Sequence, residues 1–132
     1  MMTPRSAVQQ YQQTQFTTSD RGQILLLMFD GGLRFLARAR SGLEAGDLEQ
    51  FGHNLGRAQA VIAELLHTLD HKAGGEIARN LDRLYRFMLG HLTEANLNKS
   101  AKHVADVARI LDTIAAGYRE ILAQRGPVVR AA

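Results

Sequence analysis

The segment that shows the fold most clearly is residues 47–69, DLEQFGHNLGRAQAVIAELLHTL. Its apolar residues recur at alternating spacings of three and four, which places them on one face of an α-helix. They are Leu48, Phe51, Leu55, Ala58, Ile62, Leu65 and Leu69. Asp47 precedes this stripe and Gln50 can answer it as a capping-box partner. The segment therefore predicts an amphipathic helix that must bury its apolar face against other helices.

The preceding segment predicts a first helix with more apolar surface than one interface requires. It begins near Asp20, where Gln23 can complete a capping box, and it ends before Gly46. Its stripe contains Leu25, Met28, Gly32, Phe35, Ala39 and Leu43. Residues 24–29 are apolar without interruption, so more than one face is apolar at the start of this helix. Such a helix is either central in a bundle or offers apolar surface to a partner.

Two more helices are predicted after residue 69. Glycines at 74–75 interrupt the pattern, and a third helix resumes it at Ile77 and stops around Asn96, which tolerates a left-handed C-cap. A fourth helix follows Ser100, a candidate N-cap, and ends at the Gly-Pro pair of residues 126–127. The two stripes are Ile77, Leu81, Leu84, Met88, Leu92 and Ala95, then Val104, Val107, Leu111, Ile114, Tyr118 and Ile121.

These helices predict an all-α fold, an antiparallel up-down-up-down four-helix bundle. Connections of a few residues cannot carry the chain back along a helix, so sequence neighbours must run antiparallel. We expect the bundle to span residues 20–125, between an N-terminal segment of residues 1–19 and a C-terminal tail of residues 126–132. The predicted core contains Leu55, Ile62, Leu81, Leu84, Met88, Leu111 and Ile114.

The N-terminal segment is rich in glutamine and threonine and lacks a clear amphipathic period. This composition predicts a flexible or loosely docked segment. Tyr11 and Val8 are apolar groups in polar surroundings, so they can dock near the partner-binding surface when no partner fills it. A disordered tail is the alternative.

Composition narrows the possible functions. Cysteine is absent, which excludes disulfides, thiolate metal sites and cysteine nucleophiles. A signal peptide and a membrane-spanning run are both lacking, so we expect a cytoplasmic protein without membrane insertion. The net charge of +3 raises nucleic acid as a partner, but no zinc, RNP or P-loop signature accompanies the arginines. We therefore expect no nucleic-acid partner.

Catalytic and metal motifs are weak. Glu64 and His67 match one Glu-x-x-His element of di-iron bundles, but the element occurs once and its register points outward. The five histidines are not expected to converge, and no serine lies in a nucleophile-elbow sequence. We expect no enzyme activity, cofactor or metal. Gly31 and Gly32, inside the first helix, indicate either close approach of another backbone or a tolerated cost.

From about Tyr11 through Glu120 the chain resembles the flagellin export chaperones, the FliS family. Residues 23–36, QILLLMFDGGLRFL, resemble the family pattern E-L-I-L-M-L-Y-D-G-A-I-R-F-L. Further matches are Gly46-Asp47, Leu69-Asp70, Gly74-Gly75-Glu76-Ile77-Ala78, Asn80-Leu81, Leu84-Tyr85, Met88 and Glu94-Ala95-Asn96. The chain departs from the pattern with Phe29 in place of tyrosine, Gly32 in place of alanine and Tyr118 in place of tryptophan.

The resemblance implies a cytoplasmic protein that binds the C-terminal segment of flagellin, prevents its premature polymerisation and delivers it to the flagellar type III export gate. A groove between helices suits the amphipathic helices at the ends of flagellin. Candidate contact residues are Val8, Tyr11, Ile24, Leu26 and Phe29. The alternative function is a generic helical adaptor that binds another amphipathic helix.

Overall fold

The computed structural model describes the backbone of residues 4–125 and the side chains of residues 21–124. Within that range the chain forms four α-helices: α1 (Pro4–Glu44), α2 (Leu48–His67), α3 (His71–Asn98) and α4 (Ala101–Arg125). The all-helical, four-helix prediction is confirmed. Connections of two or three residues join the helices, so each helix runs antiparallel to the next.

The first helix begins at Pro4, and the predicted start near Asp20 is wrong. That prediction depended on apolar periodicity, whereas residues 5–21 contain no glycine or proline that would break a helix. Proline is tolerated in the first turn, where its missing N–H is not needed. Val8 and Tyr11 lie outside the residues whose side chains the structure describes, as does the predicted C-terminal tail. The division of the chain at residue 19 stays a prediction.

The four helices form a ring in which each packs against two neighbours. Helices α1 and α3 both pack against α2 and α4, so they lie diagonally opposite each other. One end of the bundle carries the α1–α2 and α3–α4 turns, and the other carries the α2–α3 turn. This second end is called the α2–α3 end below.

The core follows the predicted stripes of α2 and α4 closely. Of the predicted core residues, Leu55, Ile62, Met88 and Leu111 are fully or almost fully buried, and Ile114 and Leu81 are partly buried against them. The remaining prediction, Leu84, is wrong because this side chain is 38% exposed. Burial of these side chains supplies most of the favourable free energy of folding.

The first half of helix α3 is rotated relative to the predicted register, whereas Met88, Leu92 and Ala95 in the second half are buried as predicted. The buried stripe of the whole helix contains Ala78, Tyr85, Met88, Leu92 and Ala95. Tyr85 takes the core position that the sequence pattern assigned to Leu84, and Ala78 takes that of Ile77. Both stripes are apolar over the first half of the helix, so periodicity alone does not select between them.

Polar caps set the helix boundaries. Asp47 accepts a hydrogen bond from the Gln50 amide at 3.1 Å, as predicted, and the Ser100 hydroxyl accepts one from the His103 amide at 3.2 Å. The α2–α3 break was predicted too late in the sequence. Asp70 caps α3, and the left-handed φ of 52° at Gly75 makes a kink inside the helix instead of a break before it.

Helix α3 also ends later than predicted. The left-handed residue is Lys99 (φ 51°), not Asn96, and the Ser100 amide donates to the carbonyl of Ala95. The carbonyl of Asn96 is in the last turn of α3, and it accepts a hydrogen bond from the Lys99 ammonium group at 2.8 Å. The bond suits a cation at the negative end of a helix.

Three glycines of α1, at positions 22, 32 and 42, are close to other helices, and at Gly22 an added Cβ would clash with the side chain of Leu122 on α4. An added Cβ at Gly42 would lie 2.8 Å from the backbone nitrogen of Phe51, so α1 and the start of α2 approach too closely for any other residue. At Gly32 the nearest atoms would be the side chains of Leu111 and Val61, at 3.1 and 3.4 Å. Close approach therefore accounts for Gly32, by side chains and not backbone, whereas Gly31 meets only its neighbour Arg34.

Candidate partner-binding surface

The structure separates the apolar residues at the start of α1 into exposed and buried groups. Ile24 is 57% exposed and Leu27, which the sequence reasoning did not select, is 67% exposed. They are one helical turn apart and form a small apolar patch, here called the α1 patch. Leu26 is half-buried against the core. An interpretation in which every face of this segment is enclosed by the bundle is therefore excluded.

Phe29 belongs to the core. Its side chain is completely buried, and its ring centroid lies 5.3 Å from that of Tyr118 on α4. The prediction that it offers surplus surface is wrong, because the register of α1 turns Phe29 inward beside Leu36. Tyr118 lies in the seam between helices, as predicted, and burial raises its pKa.

Helix α3 carries the largest apolar feature that the sequence reasoning missed. Ile77, Leu84 and Phe87 are 71%, 38% and 51% exposed, and their spacing of seven and then three residues places them on one face. We call these three residues the α3 stripe. Natural proteins seldom leave several large apolar side chains exposed in a row without a binding role. The sequence held one signal for this surface: in the first half of α3 a second set of apolar residues lies next to the predicted core stripe.

A cavity lies next to one end of the α3 stripe, at the α2–α3 end of the bundle. Its volume is about 350 Å³, and Ile77 contributes to its wall. Side chains from three helices and the turn complete the lining, among them Leu25 and Arg21 of α1, Leu81 of α3 and Tyr118 of α4. A mostly apolar cavity of this size accommodates an apolar side chain of a bound segment.

Ion pairs lie on the helices that carry these apolar surfaces. Arg86 contacts Asp82 at 2.6 Å on α3, and Arg119 of α4 contacts Asp30 of α1 at the same distance. The arginines Arg34, Arg38 and Arg40, the densest basic group in the sequence, are exposed on α1. Exposed pairs of this kind contribute little to stability.

Two of the five histidines meet between α3 and α4. The rings of His91 on α3 and His103 on α4 stack with centroids 4.1 Å apart. The reason is the short α3–α4 turn, which brings the end of α3 next to the start of α4. The periodicity within each helix does not show which residues meet across that turn. Glu64 and His67, the residues of the di-iron-like element, are exposed, as expected.

The geometry defines a class of protein: a helical bundle with an exposed apolar stripe and an adjoining surface cavity. None of the helices, over the residues that the structure describes, has the length and apolar character needed to cross a membrane.

Comparison with known proteins gives the family. The model of the family described as "Flagellar protein FliS" matches residues 4–125. A relative named "Flagellar secretion chaperone FliSB", from Pseudomonas aeruginosa, is 34% identical over 85% of this chain and 92% of its own length. The "Flagellar secretion chaperone FliS" of Salmonella typhimurium is 39% identical over 75% of this chain and 74% of its own length. This chain belongs to the FliS flagellar secretion chaperone family, which is a family of chaperones and not of enzymes.

Proposed function

We propose that this chain binds the C-terminal segment of newly made flagellin in the cytoplasm, prevents its premature polymerisation and delivers it to the flagellar type III export gate. The observation that carries the proposal is the α3 stripe, which continues into the cavity at the α2–α3 end. An amphipathic helix of flagellin can lay its apolar face along this stripe and place one side chain in the cavity.

The α1 patch is the second contact surface in this proposal. Ile24 and Leu27 lie beside Leu25, which lines the cavity, so the patch and the stripe flank the same end of the bundle. Leu26, in the same apolar run, is half-buried against the core and offers the rest of its side chain to the partner. Phe29 contributes indirectly, because its contact with Tyr118 helps to shape the cavity wall.

Binding through apolar burial has a measurable signature. We expect a negative heat-capacity change on binding and only a modest dependence on salt. Isothermal titration calorimetry with a C-terminal flagellin peptide at several temperatures measures the first, and titration at two salt concentrations measures the second. Lack of binding at micromolar concentrations by folded protein would contradict the chaperone proposal. Equal affinity for an unrelated amphipathic helix would favour a generic adaptor.

A matched pair of substitutions tests the surface. Ile77 and Leu97 are both aliphatic residues of α3, 71% and 76% exposed, near opposite ends of the helix. Ile77→Ser should weaken flagellin binding by roughly tenfold or more, since it removes a buried contact of about 2 kcal/mol. Leu97→Ser should leave the affinity unchanged, and neither variant should lose much thermal stability. Equal affinities for the two variants would remove the α3 stripe from the interface.

The N-terminal segment is the remaining part of the proposal. Tyr11, with Val8, docks near the partner-binding surface when flagellin is absent, and the alternative is a tail that does not interact. Deleting residues 1–15 should change flagellin affinity and amide exchange on the bundle. If both stay as in the full chain, docking is rejected while the α3 interface remains testable.

A further inference from the structure

The stacked histidines belong to a cluster that adjoins the Phe87 end of the α3 stripe. It lies between α3 and α4, toward the end that carries the α3–α4 turn. One ring nitrogen of His91, one of His103 and a carboxylate oxygen of Glu94 lie within 4.8 Å of one another. We propose that these three side chains bind a first-row divalent transition-metal ion, for which Zn²⁺ is the best fit.

The two imidazole nitrogens and one carboxylate oxygen of the site determine which ion fits it. Imidazole nitrogen with carboxylate oxygen is a usual ligand combination for Zn²⁺ in proteins, with bonds of about 2.0–2.2 Å. The Nε2 atom of His103 already lies 3.4 Å from a carboxylate oxygen of Glu94, so small side-chain rotations bring both onto one ion. Hard ions such as Mg²⁺ and Ca²⁺ prefer all-oxygen sites and fit this set poorly.

Groups around the cluster hold both rings in place. The Nε2 atom of His91 lies 3.1 Å from Asp106, and the Nδ1 atom of His103 lies 2.7 Å from the hydroxyl of Ser100. Histidine ligands of metals commonly use their second nitrogen in such contacts, which orient the ring. In the tautomer that donates from Nδ1 to Ser100, the lone pair of Nε2 of His103 faces Glu94.

The electrostatics also suit a cation. Hydrogen bonds from His91 and then from Lys102 lower the pKa of Asp106 to about 2, so this group stays a carboxylate at neutral pH. Asp106 also forms ion pairs with Lys102 and Arg109, and these two cations neutralise part of its negative charge. Glu94 is the more exposed carboxylate and has no such partner among the contacts of the described side chains other than His103. Its negative charge is therefore free to neutralise part of the charge of an ion.

A bound ion would join α3 to α4. His91 and Glu94 belong to α3 and His103 belongs to α4, so the ion closes a cross-link next to the turn. Phe87 of the α3 stripe stacks on His91 with ring centroids 5.0 Å apart. Fixing His91 would therefore fix the neighbouring end of the stripe. Because the native fold alone assembles the three ligands, the ion should also raise the melting temperature.

Calorimetric titration of ZnCl₂ into the full-length protein tests the site. We expect binding with a stoichiometry of one and a rise in melting temperature that a chelator reverses. His103→Gln and Glu94→Gln should each weaken binding by at least roughly tenfold, and Asp106→Asn, an orienting group, by roughly tenfold as well. His53→Gln is the matched control, since His53 is exposed on α2, and it should bind as the natural chain does.

Two results would overturn the site. One is no zinc binding by folded protein at concentrations up to about 100 μM, well above the dissociation constants expected for three protein ligands. The other is unchanged affinity in both His103→Gln and Glu94→Gln, which would assign binding to other histidines. Circular dichroism checks that each variant folds. Glu94→Gln keeps the test valid if His103→Gln does not fold, because the Glu94 side chain is 63% exposed.

Discussion

Helices α2 and α3 both carry apolar residues at helical spacing but use them differently. In α2 the apolar stripe is single, and all of it except its ends is buried: Phe51, Leu55, Ala58, Ile62 and Leu65. In the first half of α3 two adjacent stripes compete: Ala78 and Tyr85 are buried, while Ile77 and Leu84 face outward. A helix with surplus apolar residues can therefore supply the core and a binding surface at the same time.

The neighbours of the two helices explain the difference. The α1–α2 interface is close enough to require glycine at position 42, so the start of α2 packs tightly against α1. Helix α3 lies diagonally opposite α1. Side chains of both helices line the cavity at the α2–α3 end and do not fill it. Tight packing on one side of the bundle and loose packing on the other suit a rigid scaffold that carries an adaptable surface.

The largest expected effect is a difference in stability between the two helices. Ile62→Ala in α2 should lower the free energy of unfolding by about 2–5 kcal/mol, because it leaves a cavity in the closed part of the core. Leu84→Ala in α3 should lower it by less than about 1 kcal/mol, because that side chain is partly exposed. Urea unfolding monitored by circular dichroism gives both values. Equal losses would mean that the outward stripe of α3 packs in the core after all.

A smaller effect is expected from a pair of glycines, one at the α1–α2 interface and one on the outside of α2. Gly42→Ala should destabilise the protein by about 1–3 kcal/mol, since its Cβ would lie 2.8 Å from the backbone nitrogen of Phe51. Gly56→Ala should stabilise it by up to about 1 kcal/mol, since its Cβ would meet nothing within 4 Å and alanine favours the helix. Thermal melts of the two variants show whether each change raises or lowers the stability of the protein. Stabilisation by Gly42→Ala would show that α1 and α2 can separate without loss.

The sequence predicted the features of α2 well because its periodicity allowed one register. Asp47 and Ser100 were assigned correctly as caps because an N-cap side chain bonds an amide only three residues later. This bond does not depend on how the helices pack. The same reasoning failed at Leu84, where two registers were equally apolar and only tertiary packing could choose. It also failed at Phe29, because an uninterrupted apolar run does not reveal which of its members face outward.

The meeting of His91 with His103 had no signal in periodicity. It depends on how far α3 extends before the turn, and the predicted end around Asn96 was too early. Contacts across a short turn change with every residue of its length. The sequence thus gives helices and caps more reliably than it gives clusters between helices.

The two helices also differ in how polar their contacts are, which leads to the smallest predicted effect. Helix α2 has apolar core contacts, whereas α3 is tied to α4 partly by Asp106, which contacts His91 of α3 and Lys102 and Arg109 of its own helix. The His91 contact first, and Lys102 second, lower the pKa of Asp106 from 3.8 to about 2. A carboxyl group with a pKa lower in the folded state than in the unfolded state stabilises the fold above its unfolded pKa.

That contribution should be lost as the pH falls from about 4 toward 2, because the unfolded chain then binds a proton that the folded chain still excludes. Asp106→Asn removes the titrating group, so its melting temperature should fall less steeply over this range than that of the natural chain. Asp30→Asn is the control, since Asp30 pairs with Arg119 on the α1–α4 side of the bundle. Thermal melts at half-unit steps of pH from 6 to 2.5 give the slopes. If Asp106→Asn and the natural chain lose stability in parallel, the polar contacts of Asp106 do not hold α3 to α4, and the contrast with α2 is one of packing alone.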